Sequence, residues 1–230
     1  MSKNYDEAFN FLLFSYFGIK NKNQINNEES KNKYAKRAYL DLARTIRYSV
    51  SSTELERMKG KKSTQKEKNE ADEYINTKEN LIIEICSEMI DSIFSYDGKI
   101  SFDCWHCKLC EKIKNKMNES GLIKTGFIFT HGQAQKWINM TLKYLWLLNM
   151  LPENIFESDL HVPVDSYIIE AALSDNLIFG LNLDSKYKKI VWSQWDNKIY
   201  LEFQNDVKGK MKGNPMEWES RAWIGISKNK

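Results

Sequence analysis

Two residues far apart in the chain carry chemistry suited to attack on a sugar carbon. Lys136 falls one turn into a segment dominated by Trp137, Ile138, Met140, Leu142, Tyr144 and Leu145. Asn139 and Lys143 lie three and seven residues on, so the spacing puts all three near one polar stripe of a helix. A lysine among such neighbours is partly desolvated, which favours the neutral amine. A neutral amine is a nucleophile able to form a Schiff base with a sugar carbon. Asp165 follows Pro163 and is expected to open a helix, whose first amides and macrodipole keep a carboxylate ionised. A fixed carboxylate suits a reaction that passes through a positive, oxocarbenium-like sugar.

Other residue types admit other chemistry. Gln133 and Gln135 flank the start of the Lys136 segment, and an amide can read a base edge with both donors and an acceptor. Trp105-His106 could stack on or hydrogen-bond an extruded base. His131 and His161 precede the Lys136 and Asp165 segments, so all three histidines lie near the suspected site in sequence. A histidine pair could instead serve acid–base chemistry in a nuclease. Cys104, Cys107 and Cys110 enclose His106 at metal-ligand spacing. Ser101, however, reads as the cap of a helix running straight through them, and one ion could not take all three thiols without unwinding it. Ordinary thiols, no metal and no cofactor are expected.

The elements that must position these residues are helical. Apolar periodicity predicts helices over 5–18, 29–49, 69–96, 102–119, 133–149, 166–174, 193–209 and 216–224, with Gly18, Gly98, Gly121 and Gly213 as breaks. The span Arg57–Lys68 has six basic residues, one acidic and no apolar stripe, so it reads as a mobile basic loop. Lys59, Lys61 and Lys62 there could follow a phosphate backbone, or could simply be solvated. Lys208, Lys210 and Lys212 also complement a helix C-terminus without any ligand. The Trp-rich C-terminal part reads as core.

Composition sets the bounds. In 230 residues, 42% are hydrophobic and 13% aromatic, which is ample for a packed interior, while 3 Pro and 10 Gly are few for a β-rich chain. The net charge of +3 is too mild to identify a nucleic-acid binder by itself. No run approaches the roughly 20 apolar residues of a membrane span, and the polar start is unlike a secretory signal. With 4 Cys and no spread disulfide framework, a cytoplasmic location is expected.

The segments around Lys136 and Asp165 resemble the helix-hairpin-helix DNA glycosylases. In that superfamily a Gly-x-Gly-x-Lys hairpin starts an apolar helix, and a Pro-Val-Asp motif opens a later one. Gly132-Gln-Ala-Gln-Lys136 and Val162-Pro163-Val164-Asp165 stand in those places. The separation of 29 residues is similar to the archaeal 8-oxoguanine glycosylase branch. The resemblance covers residues 122–175, and Ala134 replaces the second hairpin glycine.

The resemblance implies an all-α, two-lobed domain with a central cleft, in which Lys136 and Asp165 are catalytic. It implies DNA-backbone contacts at His131 and Gly132, helped by Lys59, Lys61 and Lys62. Gln133, Gln135, Asn139, Lys143, Trp105, His106 and His161 would meet the substrate. The expected unit is one compact domain over 1–230, with a catalytic core at about 100–182 and the basic loop as an insertion. The expected function is base excision from DNA carrying a modified or damaged base, with or without lyase action, in repair or in defence against phage. The alternatives are a non-catalytic helical module binding nucleic acid or protein, and a helical nuclease or toxin using the histidines.

Overall fold

The computed structural model describes residues 3–227. It is all-helical: α1 (Lys3–Phe17), α2 (Glu28–Leu42), α3 (Ser52–Met58), α4 (Gln65–Phe94), α5 (Phe102–Glu119), α6 (His131–Leu147), α7 (Ser166–Leu173), α8 (Asn197–Lys210) and α9 (Pro215–Ser227), joined by short 3-10 turns. The only strand-like pairing among the described residues is one bridge, Tyr48 to Ile123. No helix among them is long and apolar enough to cross a membrane.

Helix starts follow local capping chemistry. Ser101 accepts from the Cys104 amide and starts α5 where expected. Asp165 accepts from the Ile168 amide and starts α7, and Asp196 does the same for α8, which therefore begins later than its apolar stripe suggests. Thr130 and Gln133 form a reciprocal capping box at the start of α6.

Two expectations are corrected. The 29–49 segment is not one helix: α2 stops at Leu42, a 3-10 turn follows, and Ile46 is extended. The 57–68 segment is not a single loop. Ser51 caps α3, and a capping box of Thr64 and Glu67 starts α4 four residues earlier than expected. Arg57 reaches across this turn to Glu54 at 2.7 Å and Glu67 at 3.1 Å, and Lys59 pairs with Asp72 at 2.7 Å.

Buried side chains fall into two clusters. The first joins α1, α2, α4, α5 and α6. The second joins Val162, Val164, α7, α8, α9 and the aromatics Phe179, Tyr187 and Trp195. The chain passes from the first at Leu160 to the second at Val162, and Met216 of α9 returns to the first. α6 is central, with every residue from His131 to Leu142 buried. Ala35 and Ala38 of α2 let it approach closely, and Trp137 of α6 donates its indole hydrogen to Ala35 O at 2.8 Å.

Candidate active site

Lys136 and Asp165 meet. The Lys136 amine donates to Asp165 Oδ2 at 2.9 Å and to Pro163 O at 3.3 Å. The amine-bearing side chain is 6% exposed and the carboxylate 18%. Pro163 and Val164 are themselves buried, so the chain entering α7 is clamped against α6. Asp165 has one oxygen on the Ile168 amide at 2.9 Å and the other on Lys136, which fixes the carboxylate.

Both side chains line a cavity of ≈ 630 Å³. That is within the ~300–1,000 Å³ of small-ligand pockets. The α6 wall consists of Lys136, Met140, Lys143, Tyr144 and Leu147, spaced as one helical face. Facing it is the apolar edge of α1, with Phe9, Leu12, Leu13, Tyr16 and Phe17. Tyr167, Trp192 and Trp223 add aromatic surface. The charged lining is balanced: Lys136, Lys143 and Arg44 against Asp165, Glu219 and Asp41. Lys143 is paired with Glu219, a carboxylate only 2% exposed. Asp41 bonds Arg37 at 3.0 Å and accepts from the Tyr144 hydroxyl.

Sequence reasoning placed Lys136, Asp165 and Lys143 together, and the structure puts all three on this cavity. It missed Asp41, Arg44, Glu219 and the α1 edge. The α1 pattern at i, i+3, i+4, i+7 and i+8 was legible as a helix face, but nothing local says that one side of it stays open.

The expected substrate contacts of Gln135, Asn139, Trp105, His106 and His161 are corrected: none of them lines this cavity or the smaller groove beside it, whereas Gln133 lines that groove but not this cavity. Gln133 is held by its capping box and by Thr45 O at 2.8 Å. Gln135 donates to Gly132 O at 2.8 Å and accepts from Asn139 at 2.9 Å. Trp105 packs on Tyr96 and Phe102 and donates to the Ser92 hydroxyl at 3.2 Å.

The remaining polar residues form one buried relay behind the α6 wall. Asn139 Oδ1 accepts at 2.8 Å from His106 Nε2, which must therefore carry the hydrogen. Asn139 donates to the Tyr200 hydroxyl at 2.9 Å, and Tyr200 donates to His161 Nδ1 at 2.7 Å. His161 donates from Nε2 to Asp103 at 2.9 Å. Every bond in this run is made with both imidazoles neutral. Burial pushes the His106 pKa well below its ordinary value, and it lowers His161 too, with Asp103 opposing. The hydrogen bond from His161 lowers Asp103, and burial drives the Tyr200 phenol upward.

The expected backbone contacts at His131 and Gly132 are also corrected. His131 is 3% exposed, with burial lowering its pKa. The Gly132 amide is taken by Trp195 O at 2.9 Å, and a β-carbon at Gly132 would lie 2.1 Å from Trp192 O. The glycine therefore admits the 192–195 segment rather than a phosphate. Lys61 and Lys62 are exposed, Lys59 is paired with Asp72, and none of the three lines either of the two cavities described here.

Cys104 is exposed, Cys107 half-buried and Cys110 buried, spread round α5 as a continuous helix requires. Among the described residues no three His, Cys, Asp or Glu side chains are grouped to hold a metal.

No protein-family model, curated protein or solved structure matches this chain. The chemistry open to the site follows from its own geometry: an ammonium and a carboxylate share a mostly apolar pocket. Such a pair can stabilise positive charge, supply one proton and, once that proton has gone, offer a nucleophilic nitrogen.

Proposed function

We propose that the protein is a DNA N-glycosylase acting on a modified or damaged base, with a two-lobed arrangement similar to the helix-hairpin-helix glycosylases. One observation carries this reading: Lys136 and Asp165, 29 residues apart, meet at 2.9 Å on the wall of a ≈ 630 Å³ cavity. The aromatic and apolar lining suits the faces of an extruded base, and extrusion costs a few kcal/mol of unstacking.

In the reaction, the N-glycosidic bond breaks and its electron pair leaves with the base. The Lys136 ammonium gives the base a proton, and Asp165 stabilises the positive sugar. The neutral amine then bonds to C1′. A second nitrogen proton passes to the ring oxygen, by way of Asp165, as the ring opens to an iminium. In a monofunctional enzyme Lys136 would instead position a water for attack on C1′.

The histidine-dependent nuclease reading loses support, because His106, His131 and His161 are at most 3% exposed and none lines the cavity. The non-catalytic reading treats Lys136–Asp165 as a helix cap with an ion pair. Base release separates the two. Duplexes carrying single modified bases are incubated with wild type, Lys136→Ala and Asp165→Asn, and free base is measured by mass spectrometry. Release by the wild type, lost by at least about 100-fold in either variant, supports excision. Release that survives both substitutions, or none across a broad set of modified bases, removes the proposal.

A further inference from the structure

A second groove of ≈ 470 Å³ adjoins the cavity, and Arg44 lines both. Arg47 is the other charge in the groove, and no carboxylate lines it. Its remaining polar lining is uncharged: Thr45, Thr130, Gln133, Ser193 and Gln194. Both arginines are exposed. Asp41, the acidic residue nearest Arg44 in sequence, is committed to Arg37 and Tyr144.

The floor of the groove is braced by hydrogen bonds. Gln133 ties Thr45 to the start of α6, and the Thr130 hydroxyl donates to Ser193 O. The Lys124 amide donates to Arg47 O at 2.9 Å beside the Tyr48–Ile123 bridge, which pins the backbone that carries Arg47. Phe127 and Ile128 stand on the rim, 50% and 72% exposed. A braced floor, two guanidiniums in no ion pair among the described residues and an apolar rim match one ligand chemistry: consecutive phosphates of a nucleic-acid strand, with sugars or base faces against the rim.

We infer that the Arg44–Arg47 groove carries the DNA backbone beside the extruded nucleotide, in place of the helix start at Gly132, whose amide is occupied, and of the basic turn at Lys59–Lys62. This rests on the excision reading in that Arg44 links the strand to the Lys136 pocket. It adds a phosphate site on a short turn and a bridge, outside the segments that resemble a hairpin.

The test is fluorescence anisotropy on a duplex bearing a tetrahydrofuran abasic-site analogue, at salt from about 50 to 200 mM. Arg44→Ala/Arg47→Ala is expected to bind at least about tenfold more weakly, with the slope of log affinity against log salt shallower by about 2. Arg44→Lys/Arg47→Lys should keep most of the slope, which misfolding would not. The inference is overturned if the alanine pair keeps the wild-type slope, if Lys59→Ala/Lys61→Ala/Lys62→Ala loses it instead, or if the wild type does not bind. Arginine-dependent binding without base release would leave the groove standing and remove the glycosylase reading. Base release without arginine dependence would do the reverse.

Discussion

Asn139 receives the Nε2 hydrogen of His106 at 2.8 Å in a place fully closed to solvent, one turn along α6 from the lysine that faces the cavity. The same amide donates to Tyr200, so the back of the reactive wall is a strut joining α5, α6 and α8. Substituting Asn139 by Leu keeps the branched shape and removes both roles, leaving the buried His106 Nε2 hydrogen without its acceptor and the Tyr200 oxygen without its donor. The expected cost is about 3 kcal/mol, or roughly 6–12 °C in the melting temperature of a chain this long. A thermal melt followed by circular dichroism checks it, and a loss below about 1 kcal/mol would show that the relay contributes little.

Acid should weaken the fold in a window set by histidine. His106, His131 and His161 all have folded pKa values lowered by burial from an ordinary 6.5. Groups held neutral in the fold contribute fully above pH 6.5. That contribution is lost as the pH falls through 6.5 toward the folded values, because the unfolded chain binds protons first. The slope is up to about 1.4 kcal/mol per pH unit for each histidine. Asp103, whose pKa is also lowered, adds its loss only below its ordinary 3.8. Urea midpoints between pH 8 and 5 should therefore fall steeply below 6.5. A flat profile there would contradict the neutral relay.

Gly132 should not tolerate a side chain. Its β-carbon would meet the carbonyl of Trp192, which is backbone and cannot swing aside. Gly132→Ala is expected to destabilise by about 2–4 kcal/mol and to lower the melting temperature accordingly. Stability within about 0.5 kcal/mol of wild type would mean that the 192–195 segment moves freely off α6. The Arg44–Arg47 groove would then lose its floor.

Much of the fold was legible because helix starts are local chemistry. Ser101 and Asp165 cap their helices through amides three residues away, Gly121 takes the left-handed turn just past the cap of α5, and Gly98 takes one in the turn between α4 and α5. Lys136 and Asp165 could be paired in advance because the resemblance linked two motifs that no local rule connects. What the sequence hid was direction. Gln133, Gln135 and Asn139 have the same hydrogen-bonding groups whether they face a ligand or another buried amide. On a helix buried all round, spacing does not choose between them. Lys136 and Asn139, three apart, look like one stripe, yet the cavity follows i, i+4, i+7, i+8 and i+11 and leaves Asn139 behind the wall. Arg44 and Arg47 carried no signal, since their meaning depends on a turn and a bridge to Ile123, far along the chain.

The most direct measurement of the central claim is borohydride trapping on a duplex with a natural abasic site, followed by peptide mapping of the reduced adduct. This needs no knowledge of the base removed and reports on the nitrogen itself. If the lyase route operates, one DNA adduct forms, it maps to Lys136, and it disappears in Lys136→Ala. An adduct on Lys143 or on a surface lysine, persisting in Lys136→Ala, would contradict the role given to the Lys136–Asp165 pair.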